Sequence, residues 1–306
     1  MNNSLISIVG PTAIGKTSLS IALAQAFNTE IISADSRQFF REMNIGTAVP
    51  SSEELAAVPH HFIQHISVED PYSVGDFERD ALKKLEQLFQ SHQNVIMVGG
   101  SGLYVDAVTK GLDEFPDIAP EIRNTLNDVY ASQGLPALQE KLRHLDPEYF
   151  SEVDKENPHR LIRALEVCLG TGKPYSSFRS KKTAQRPFKS LLIGLTAERE
   201  VIYDRINRRV DIMMEQGLLQ EVQALVARKD LNALNTVGYK EIFQYLEGKY
   251  SLEEAVAEIK KNSRRFAKRQ LTWFRRNTDI QWFDYKTPVA EIVDFIQDQT
   301  VISRSR

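Results

Sequence analysis

The 306-residue sequence contains a single cysteine, Cys168, and therefore no Cys-x-x-Cys pair. One thiol cannot form an internal disulfide, and a zinc site built on several thiolates is excluded as well. Long apolar runs are also missing, because the longest, such as residues 95–98, fall far short of the roughly 18 residues that cross a bilayer. No cationic segment precedes the first apolar stretch, so we expect no signal peptide. These absences predict a cytoplasmic protein without a membrane segment.

Acidic residues are missing from one stretch of a chain that is acidic overall. The sequence has 38 Lys and Arg against 41 Asp and Glu, a net charge of −3. Residues 259–278 nevertheless contain no acid and eight basic residues: Lys260, Lys261, Arg264, Arg265, Lys268, Arg269, Arg275 and Arg276. On a helical projection most of them lie opposite an apolar side that includes Phe266 and Phe274. We interpret this segment as a basic helix suited to a phosphate backbone, with a solvated surface helix as the alternative.

Short apolar runs alternate with helical patterns along much of the chain. The runs are residues 5–9, 31–34, 95–98 and 191–195, with a weaker one at 280–283. Such alternation is typical of an α/β fold whose parallel sheet is covered by helices on both faces.

The strand pattern stops between residues 116 and 186. Helices are predicted there at 121–132 and 136–144, and a third is predicted to begin after Asn157, a good N-cap, with Pro158 in its first turn. We therefore predict a core formed by residues 1–115 and 187–306, interrupted by a helical insertion domain at 116–186.

Residues 10–17 match the phosphate-loop pattern G-x-x-x-x-G-K-[ST] at every position. They lie between a predicted strand and a predicted helix, which is the context of a true phosphate loop. In such a loop the backbone N–H groups and the helix N-terminus bind phosphate oxygens. Lys16 adds a positive charge, and the Thr17 hydroxyl is placed for Mg²⁺. The pattern predicts a phosphate site but does not identify the phosphate compound.

Two polar residues follow the next two predicted strands. Asp35 comes directly after residues 31–34 and is a candidate general base, with turn capping or a metal ligand as alternatives. Ser101 stands within Gly99-Gly100-Ser101-Gly102, after residues 95–98. Glycines there favour close approach of a ligand, although a tight turn would also need them.

Arginines are grouped on the helix predicted after residues 191–195. Arg205 and Arg209 lie one turn apart on the same face, with Arg208 beside them. Such arginines are usually solvated, but this helix starts near the carboxyl end of a strand. One of them is therefore a candidate clamp on a diphosphate. The histidines at 60, 61 and 65 lack the spacing of a metal site, so we expect packing or ligand contacts instead.

Over nearly its whole length the sequence resembles the tRNA dimethylallyltransferase (isopentenyltransferase) family. The resemblance is carried by an ordered set of motifs, not by the phosphate loop alone, which many unrelated NTPases share. The motifs are GPTAIGKT (10–17), ISADSRQ (32–38), NIGTA (44–48), VPHH (58–61), YSVGDF (72–77), VGGSGLY (98–104), NPHRLIRALE (157–166), GY (238–239) and AKRQLTWFR (267–275).

The resemblance implies a P-loop core with a helical insertion and a specific reaction. Members of the family transfer a dimethylallyl group from dimethylallyl diphosphate to N6 of the adenosine immediately 3′ of the anticodon in tRNA, releasing diphosphate. We accordingly expect tRNA and dimethylallyl diphosphate as partners, Mg²⁺ as cofactor, and a monomer.

Residue roles follow from the resemblance position by position. The diphosphate would be held by Gly10, Pro11, Thr12, Ala13, Ile14, Gly15, Lys16 and Thr17, with Mg²⁺ at Thr17. Asp35 would be the general base, Ser101 would lie near the reacting amine, and Arg209 would be the cationic clamp. The implied tRNA contacts are Ser36, Arg37, Gln38, Arg123, His159, Arg160, Leu161, Ile162, Arg163, Arg265 and Lys268.

Two positions depart from the family pattern. Ser101 stands where most members carry Thr, which keeps the hydroxyl but restricts its rotamer less, and Gln64 stands where Asp is more usual. The sequence has no counterpart of the C-terminal zinc finger found in eukaryotic members, so it resembles the bacterial type.

From the residues alone two other functions stay open: a small-molecule kinase that uses ATP, and a non-catalytic P-loop module that binds RNA. The basic helix disfavours the kinase, and the combination of Asp35 with Ser101 disfavours the binding module.

Overall fold

The computed structural model describes residues 3–179 and 184–301. The chain forms two compact units, of which one comprises Met1–Lys110 with Gln185–Arg306 and the other Gly111–Ala184. The first unit is α/β and the second is helical.

The α/β unit is built on one sheet of six parallel strands. The strands are β1 (Ser4–Val9), β2 (Ile31–Ser33), β3 (His60–His61), β4 (Asn94–Val98), β5 (Lys189–Thr196) and β6 (Gln281–Asp284). Their order across the sheet is β3-β2-β4-β1-β5-β6. The predicted parallel α/β fold is confirmed. Strand β3 was not predicted, because two histidines carry no apolar alternation.

Helices occupy most of the remaining chain. They are α1 (Lys16–Ala26), α2 (Ser52–Ala57), α3 (Val74–Leu88), α4 (Gly102–Lys110), α5 (Pro120–Leu145), α6 (Pro147–Glu152), α7 (Pro158–Thr171), α8 (Arg199–Glu215), α9 (Leu218–Gln223), α10 (Tyr239–Leu246), α11 (Leu252–Phe274) and α12 (Val289–Val301). Short 3-10 helices lie at Tyr175–Phe178, Val226–Arg228 and Asn232–Leu234. Within the described part of the chain, none of these helices has the length and apolar character to span a bilayer.

Both faces of the sheet are buried. On one face Leu5 and Val95 pack against α3 and α4, and on the other Ile6 and Ile96 pack against α1 and α12. All four residues are fully buried. Because successive strand residues point to opposite faces, covering both faces requires continuous apolar strands, which is the pattern that the sequence has.

Four sequence-distant segments meet at the carboxyl edge of this sheet. Strands β2, β4, β1 and β5 are consecutive neighbours and run in the same direction, so their carboxyl ends lie side by side. The phosphate loop follows β1, Asp35 follows β2, Ser101 follows β4, and helix α8 with Arg209 follows β5. This is the edge at which ligand sites of open α/β sheets form.

Helix α11 lies across the same edge. Ala267 packs with the cluster on the α1 face of the sheet and Phe274 with the cluster on the α3 face. Ile259, nearer the start of the helix, packs in a third cluster with α9 and α10. Because α11 has buried residues in the clusters on both faces of the sheet, it passes over the carboxyl end of the sheet. The helix therefore borders any ligand site at that edge.

The second unit has its own core, in which Leu138, Leu142 and Leu161 are fully buried. The two helices predicted at 121–132 and 136–144 are present as the two parts of α5, which are separated at Gly134, where the backbone is non-helical with a φ of 74°. The predicted N-cap of α7 is confirmed, since the Asn157 side chain accepts a hydrogen bond from the Arg160 N–H at 3.3 Å.

Candidate active site

A cavity of about 1040 Å³ opens at the carboxyl edge of the sheet in the α/β unit. The three predicted catalytic residues, Asp35, Ser101 and Arg209, all line it. So do the phosphate-loop residues 12–17 and the predicted base contacts Ser36, Arg37 and Gln38. The structure therefore brings the predicted core residues of the site into one space, although they come from four separate segments.

The phosphate loop ends at an uncapped helix. Helix α1 begins at Lys16 and no side chain caps its first turn. The first N–H groups of a helix have no intrahelical acceptor, so an uncapped N-terminus at a cavity favours an anion. Gly15 has a φ of 107°, a backbone region that favours glycine. Gly10 and Pro11 lie behind this surface, where their carbonyl oxygens accept from Lys16 Nζ at 3.1 and 2.8 Å.

Among the mostly buried charged side chains of the cavity, cations outnumber carboxylates. Burial lowers the pKa of Lys16 to about 8, with the Asp35 carboxylate opposing the shift and Arg209 adding to it. Burial likewise lowers the pKa of Arg209, and Asp35 again opposes. Two desolvated cations thus share one carboxylate. An anion that enters the cavity is attracted by charge that water screens poorly.

Two arginines of α8 hold the phosphate loop from the side of β5. Arg209 Nη1 donates to Thr12 Oγ1 at 3.0 Å, and Arg205 Nε donates to the Ala13 carbonyl oxygen at 2.7 Å. Arg208 is mostly exposed and pairs with an acid on its own helix. The sequence suggested one clamping arginine here, and the structure adds Arg205 as a second arginine in contact with the loop.

Asp35 and Ser101 are linked through Ser36. The Ser36 N–H donates to Ser101 Oγ at 3.1 Å, and the two hydroxyl oxygens are also 3.1 Å apart. Asp35 Oδ1 accepts from the Arg37 N–H at 3.1 Å, which fixes the turn after β2. The loop after β2 is therefore tied to the loop after β4 at the residues predicted to act on the acceptor amine.

The glycines around Ser101 leave room for neighbouring segments of the protein. A Cβ on Gly99 would lie 2.5 Å from the Ala34 carbonyl oxygen. On Gly100 and Gly102 it would lie 2.2 Å from Gln270 Nε2 and 2.3 Å from the Trp273 ring. Contacts closer than 3.0 Å are forbidden to a real Cβ. These glycines therefore admit the end of β2 and helix α11, and because all three also line the cavity, close approach of a ligand stays a prediction.

Two of the predicted base contacts already have protein partners. Arg37 Nη1 donates to carbonyl oxygens in the 3-10 helix Asn232–Leu234, at 3.2 and 2.9 Å. Gln38 Nε2 donates to the Ala48 carbonyl oxygen at 2.9 Å, and its Oε1 accepts from Ser33 Oγ at 3.2 Å. These bonds fix both side chains at the wall of the cavity. Their contact with a base stays a prediction.

The NIGTA and GY motifs meet through a glutamate that the sequence did not single out. The Glu221 carboxylate accepts the three backbone N–H groups of residues 44–46, at 2.7 to 3.0 Å, and the Tyr239 hydroxyl at 2.6 Å. A Cβ on Gly46 would lie 2.5 Å from the Tyr239 ring. This network holds the loop whose carbonyl oxygens orient Gln38.

In the helical unit, Arg123 and Arg163 share one carboxylate. Glu166 accepts from Arg123 Nε at 3.1 Å and Nη2 at 2.8 Å, and from Arg163 Nη1 at 3.0 Å. The glutamate side chain is 7% exposed, whereas the arginine side chains are 48% and 40% exposed. The three side chains together carry one net positive charge, and both arginine side chains remain partly exposed.

The implied tRNA contacts at the start of α7 divide into two pairs. His159 and Arg160 are exposed. Leu161 and Ile162 are 0% and 4% exposed and belong to the core of the unit. The expectation for Leu161 and Ile162 is corrected, because a side chain packed inside a hydrophobic cluster has no surface to offer RNA.

The basic segment of α11 is less uniform than its sequence suggested. Lys260 pairs with Asp211 of α8, Lys261 with Glu258, and Arg264 Nη1 donates to Asn207 Oδ1 at 2.7 Å. The five other basic residues are exposed, and none has an ion pair among the described residues: Arg265, Lys268, Arg269, Arg275 and Arg276. Carboxylates of the described residues therefore neutralise Lys260 and Lys261 only, from α8 and from α11 itself, whereas Arg264 is held by a neutral amide.

Two residues on the apolar side of α11 differ from what the helical projection predicts, because Phe266 is exposed and Gln270 is buried. Phe266 is 38% exposed at the cavity, and Gln270 is 6% exposed. Gln270 Oε1 accepts from the Thr12 N–H at 2.9 Å, and Nε2 donates to the Gly100 carbonyl oxygen at 2.9 Å. Sequence reasoning missed this residue. The available signal was a polar amide on the apolar side of an amphipathic helix, which requires buried partners.

No group of three or more His, Cys, Asp or Glu among the described residues has a metal-binding arrangement. His61 Nε2 is 2.6 Å from Glu30 Oε2, His60 Nδ1 is 2.7 Å from the Val58 carbonyl oxygen, and His65 packs edge-on against Phe39. The contact of His65 agrees with the packing that we expected, whereas His60 and His61 make polar contacts and the ligand contacts that we also allowed stay a prediction.

Comparison with known proteins gives consistent relatives. The family model described as IPP transferase matches residues 38–277. The tRNA dimethylallyltransferase of Christiangramia forsetii is 60% identical over 98% of this chain and 99% of its own length. The tRNA dimethylallyltransferase 1 of Phocaeicola vulgatus is 49% identical over 96% and 98%.

Solved structures agree with the sequence relatives. The full-length tRNA isopentenylpyrophosphate transferase of Bacillus halodurans superimposes with a TM-score of 0.75 at 39% identity, covering 99% of each chain. A eukaryotic dimethylallyltransferase acting on tRNA superimposes with a TM-score of 0.79 at 27% identity, covering 94% of this chain and 75% of its own.

The lowered pKa of Lys16 predicts how anion binding responds to pH. Below pH 8 the free site carries the lysine cation, and above it the cation must be regained when an anion binds. Inorganic diphosphate should therefore bind about tenfold more weakly at pH 9 than at pH 7, relative to the Lys16→Arg variant, which stays charged. Calorimetric titration at constant Mg²⁺ measures this ratio, and the anion's own titration cancels in it. Parallel affinity profiles for the two proteins up to pH 9 would contradict the assignment.

Proposed function

This chain belongs to the IPP transferase family of tRNA dimethylallyltransferases, and from that premise we propose how its site works. The enzyme transfers a dimethylallyl group from dimethylallyl diphosphate to N6 of the adenosine immediately 3′ of the anticodon in tRNA, and releases diphosphate. The observation that carries the proposal is the meeting of Lys16 and Arg209 with Asp35 and Ser101 in one cavity.

The phosphate loop and its cations act on the leaving group. As the acceptor nitrogen bonds to C1 of the dimethylallyl group, the C1–O bond breaks and its electron pair leaves with the diphosphate. The negative charge that grows on the diphosphate is stabilised by Lys16, by Arg209 and by the free N–H groups at the start of α1. To reach it, Lys16 Nζ exchanges its hydrogen bonds with the Gly10 and Pro11 carbonyl oxygens for phosphate oxygens.

Asp35 takes the proton that the acceptor amine loses. An exocyclic adenine amine is a poor nucleophile, so removing its proton as the carbon–nitrogen bond forms lowers the barrier. The Ser101 hydroxyl, held by Ser36, orients the amine. A base in the anticodon loop reaches this cavity only after leaving its stack, and the wall formed by Arg37 and Gln38 receives it.

Mg²⁺ fits the phosphate loop without a carboxylate cage. A magnesium ion in such a site takes its ligands from a loop hydroxyl, phosphate oxygens and water, so a cluster of protein carboxylates is not required. Thr17 lines the cavity, and none of the described hydrogen bonds engages its hydroxyl. Thr17 would therefore be the protein ligand of the ion, which would supply positive charge against the diphosphate.

The tRNA is held by separate basic surfaces. In the α/β unit, Arg265 and Lys268 lie on α11, the helix that borders the cavity, and both are exposed. In the helical unit, Arg123, Arg163 and the pair His159 and Arg160 offer exposed cationic or polar groups. The helical insertion domain at residues 116–186 contacts tRNA through these exposed groups. The enzyme acts as a monomer in the cytoplasm, together with its tRNA substrate.

Replacing the proposed base tests the chemistry most simply. Asp35→Asn should lower the single-turnover rate of prenyl transfer by about 10² to 10⁴, because it removes the proton acceptor. The affinity for tRNA should change little, and the affinity for diphosphate should not fall, because Asp35 is the carboxylate that offsets the charges of Lys16 and Arg209. The matched control is Asp298→Asn, which alters an exposed acid on α12. A rate within a few-fold of the parent would assign Asp35 a structural role.

Salt dependence tests the RNA surface on α11. Replacing Arg265 and Lys268 by Gln should weaken tRNA binding and reduce the slope of log K against log salt by about one to two, as expected for two lost phosphate contacts. Filter binding across a salt series measures the slope. Lys83→Gln with Lys84→Gln removes the same charge from α3 and should leave it unchanged. An unaltered slope in the α11 variant would mean that its basic face is merely solvated.

A further inference from the structure

One side chain joins the two loops that the proposed reaction must align. Gln270 of α11 accepts the Thr12 N–H of the phosphate loop with Oε1 and donates Nε2–H to the Gly100 carbonyl oxygen, each at 2.9 Å. Its partners fix the orientation of the amide, because the Thr12 N–H can only donate and the Gly100 oxygen can only accept. The amide therefore spans from the leaving-group side of the cavity to the residue next to Ser101.

A glutamine is the side chain that this bridge requires. The buried contact needs an acceptor and a donor on one planar group, which leucine lacks altogether. An ionised glutamate would accept from Thr12 but would place a second oxygen against the Gly100 carbonyl. Asparagine is one methylene shorter, so it cannot keep both bonds from the same position on the helix.

The backbone around Gly100 is adapted to receive this side chain. A Cβ on Gly100 would lie 2.2 Å from Gln270 Nε2, so glycine is the residue that permits the bond. On the other side, Thr12 is held twice, by Gln270 at its N–H and by Arg209 at its hydroxyl. The bridge thus connects the proposed clamp, the phosphate loop and the Ser101 loop in one chain of hydrogen bonds.

We propose that Gln270 is a positioning residue for prenyl transfer, which sets the separation between the diphosphate-holding loop and the Ser101 loop that holds the acceptor amine. This role rests on the proposed function. Gln270 does not need to touch either substrate. It acts by keeping the carbon to be transferred in line with the amine, and misplacement of reacting atoms by about 1 Å can cost about 10²-fold in rate.

The predicted signature is a loss in the chemical step without a loss in binding. Gln270→Leu should lower the single-turnover rate constant at saturating tRNA and dimethylallyl diphosphate by about 10- to 100-fold. The KM for tRNA and the affinity for inorganic diphosphate should stay within about threefold, because the groups that bind them are intact. Ile296→Val, a buried change in α12 away from the cavity edge, controls for a modest loss of stability.

The Gln270→Glu variant supplies a second readout that a merely structural role would not move. A protonated carboxyl group can accept from Thr12 and donate to Gly100, whereas a carboxylate cannot donate. The rate of this variant, divided by that of the parent at the same pH, should rise as pH is lowered from 8 to 6. Dividing by the rate of the parent removes the pH dependence that the two proteins share.

The outcomes separate the two proposals. A parent enzyme that transfers no prenyl group would overturn the proposed function, and this role with it. An active parent with Gln270→Leu within about threefold of its rate would overturn the positioning role alone. Comparable changes in rate, in KM for tRNA and in diphosphate affinity in Gln270→Leu would also overturn it, because they would indicate general disruption of the site. A flat rate ratio for Gln270→Glu between pH 6 and 8 would overturn it as well, because the rate would then not depend on a donor at this position.

Discussion

The candidate site depends on positive charge held at the carboxyl edge of the sheet with too little negative charge to neutralise it. Lys16 and Arg209 are both desolvated, and Asp35 is the carboxylate that acts electrostatically on each. Without a bound anion, Lys16 is stabilised by two loop carbonyl oxygens, and Arg209 by the Thr12 hydroxyl. Burying two cations beside one carboxylate costs free energy unless an anion neutralises the excess positive charge. The grouping of the phosphate loop, Arg209 and Asp35 therefore favours an anionic ligand.

Helix α11 connects this charged cavity to the basic surface that we propose binds tRNA. Its inner side packs into the clusters on both faces of the sheet through Ala267 and Phe274, and places Gln270 between two catalytic loops. Its outer side carries exposed cations such as Arg265 and Lys268. In the proposed mechanism, one helix therefore links tRNA binding to the positions of the two loops. The tight approach of α11 also explains Gly100 and Gly102, whose missing side chains leave room for the helix.

Sequence reasoning reached the features that local patterns encode. Apolar runs gave the parallel sheet, the phosphate loop followed from its motif, and Asn157 was recognised as a helix cap because capping is a local property. Local sequence patterns could not predict contacts that depend on tertiary packing. The bridge through Gln270 joins residues more than 150 positions apart, and the burial of Leu161 and the pairing of Lys260 with Asp211 depend on neighbouring helices. Periodicity also placed Phe266 inside, whereas the helix exposes it at the cavity.

The most direct test of the account is to determine what the purified enzyme does to unmodified tRNA. With Mg²⁺ present, it is incubated with either dimethylallyl diphosphate or ATP, the tRNA is digested, and its nucleosides are identified by mass spectrometry while released diphosphate and ADP are measured. The account predicts a dimethylallyl group on N6 of the adenosine 3′ of the anticodon, with diphosphate released in equal amount, and no turnover of ATP. Release of ADP with phosphate on an acceptor, and tRNA left unmodified by the prenyl donor, would contradict it.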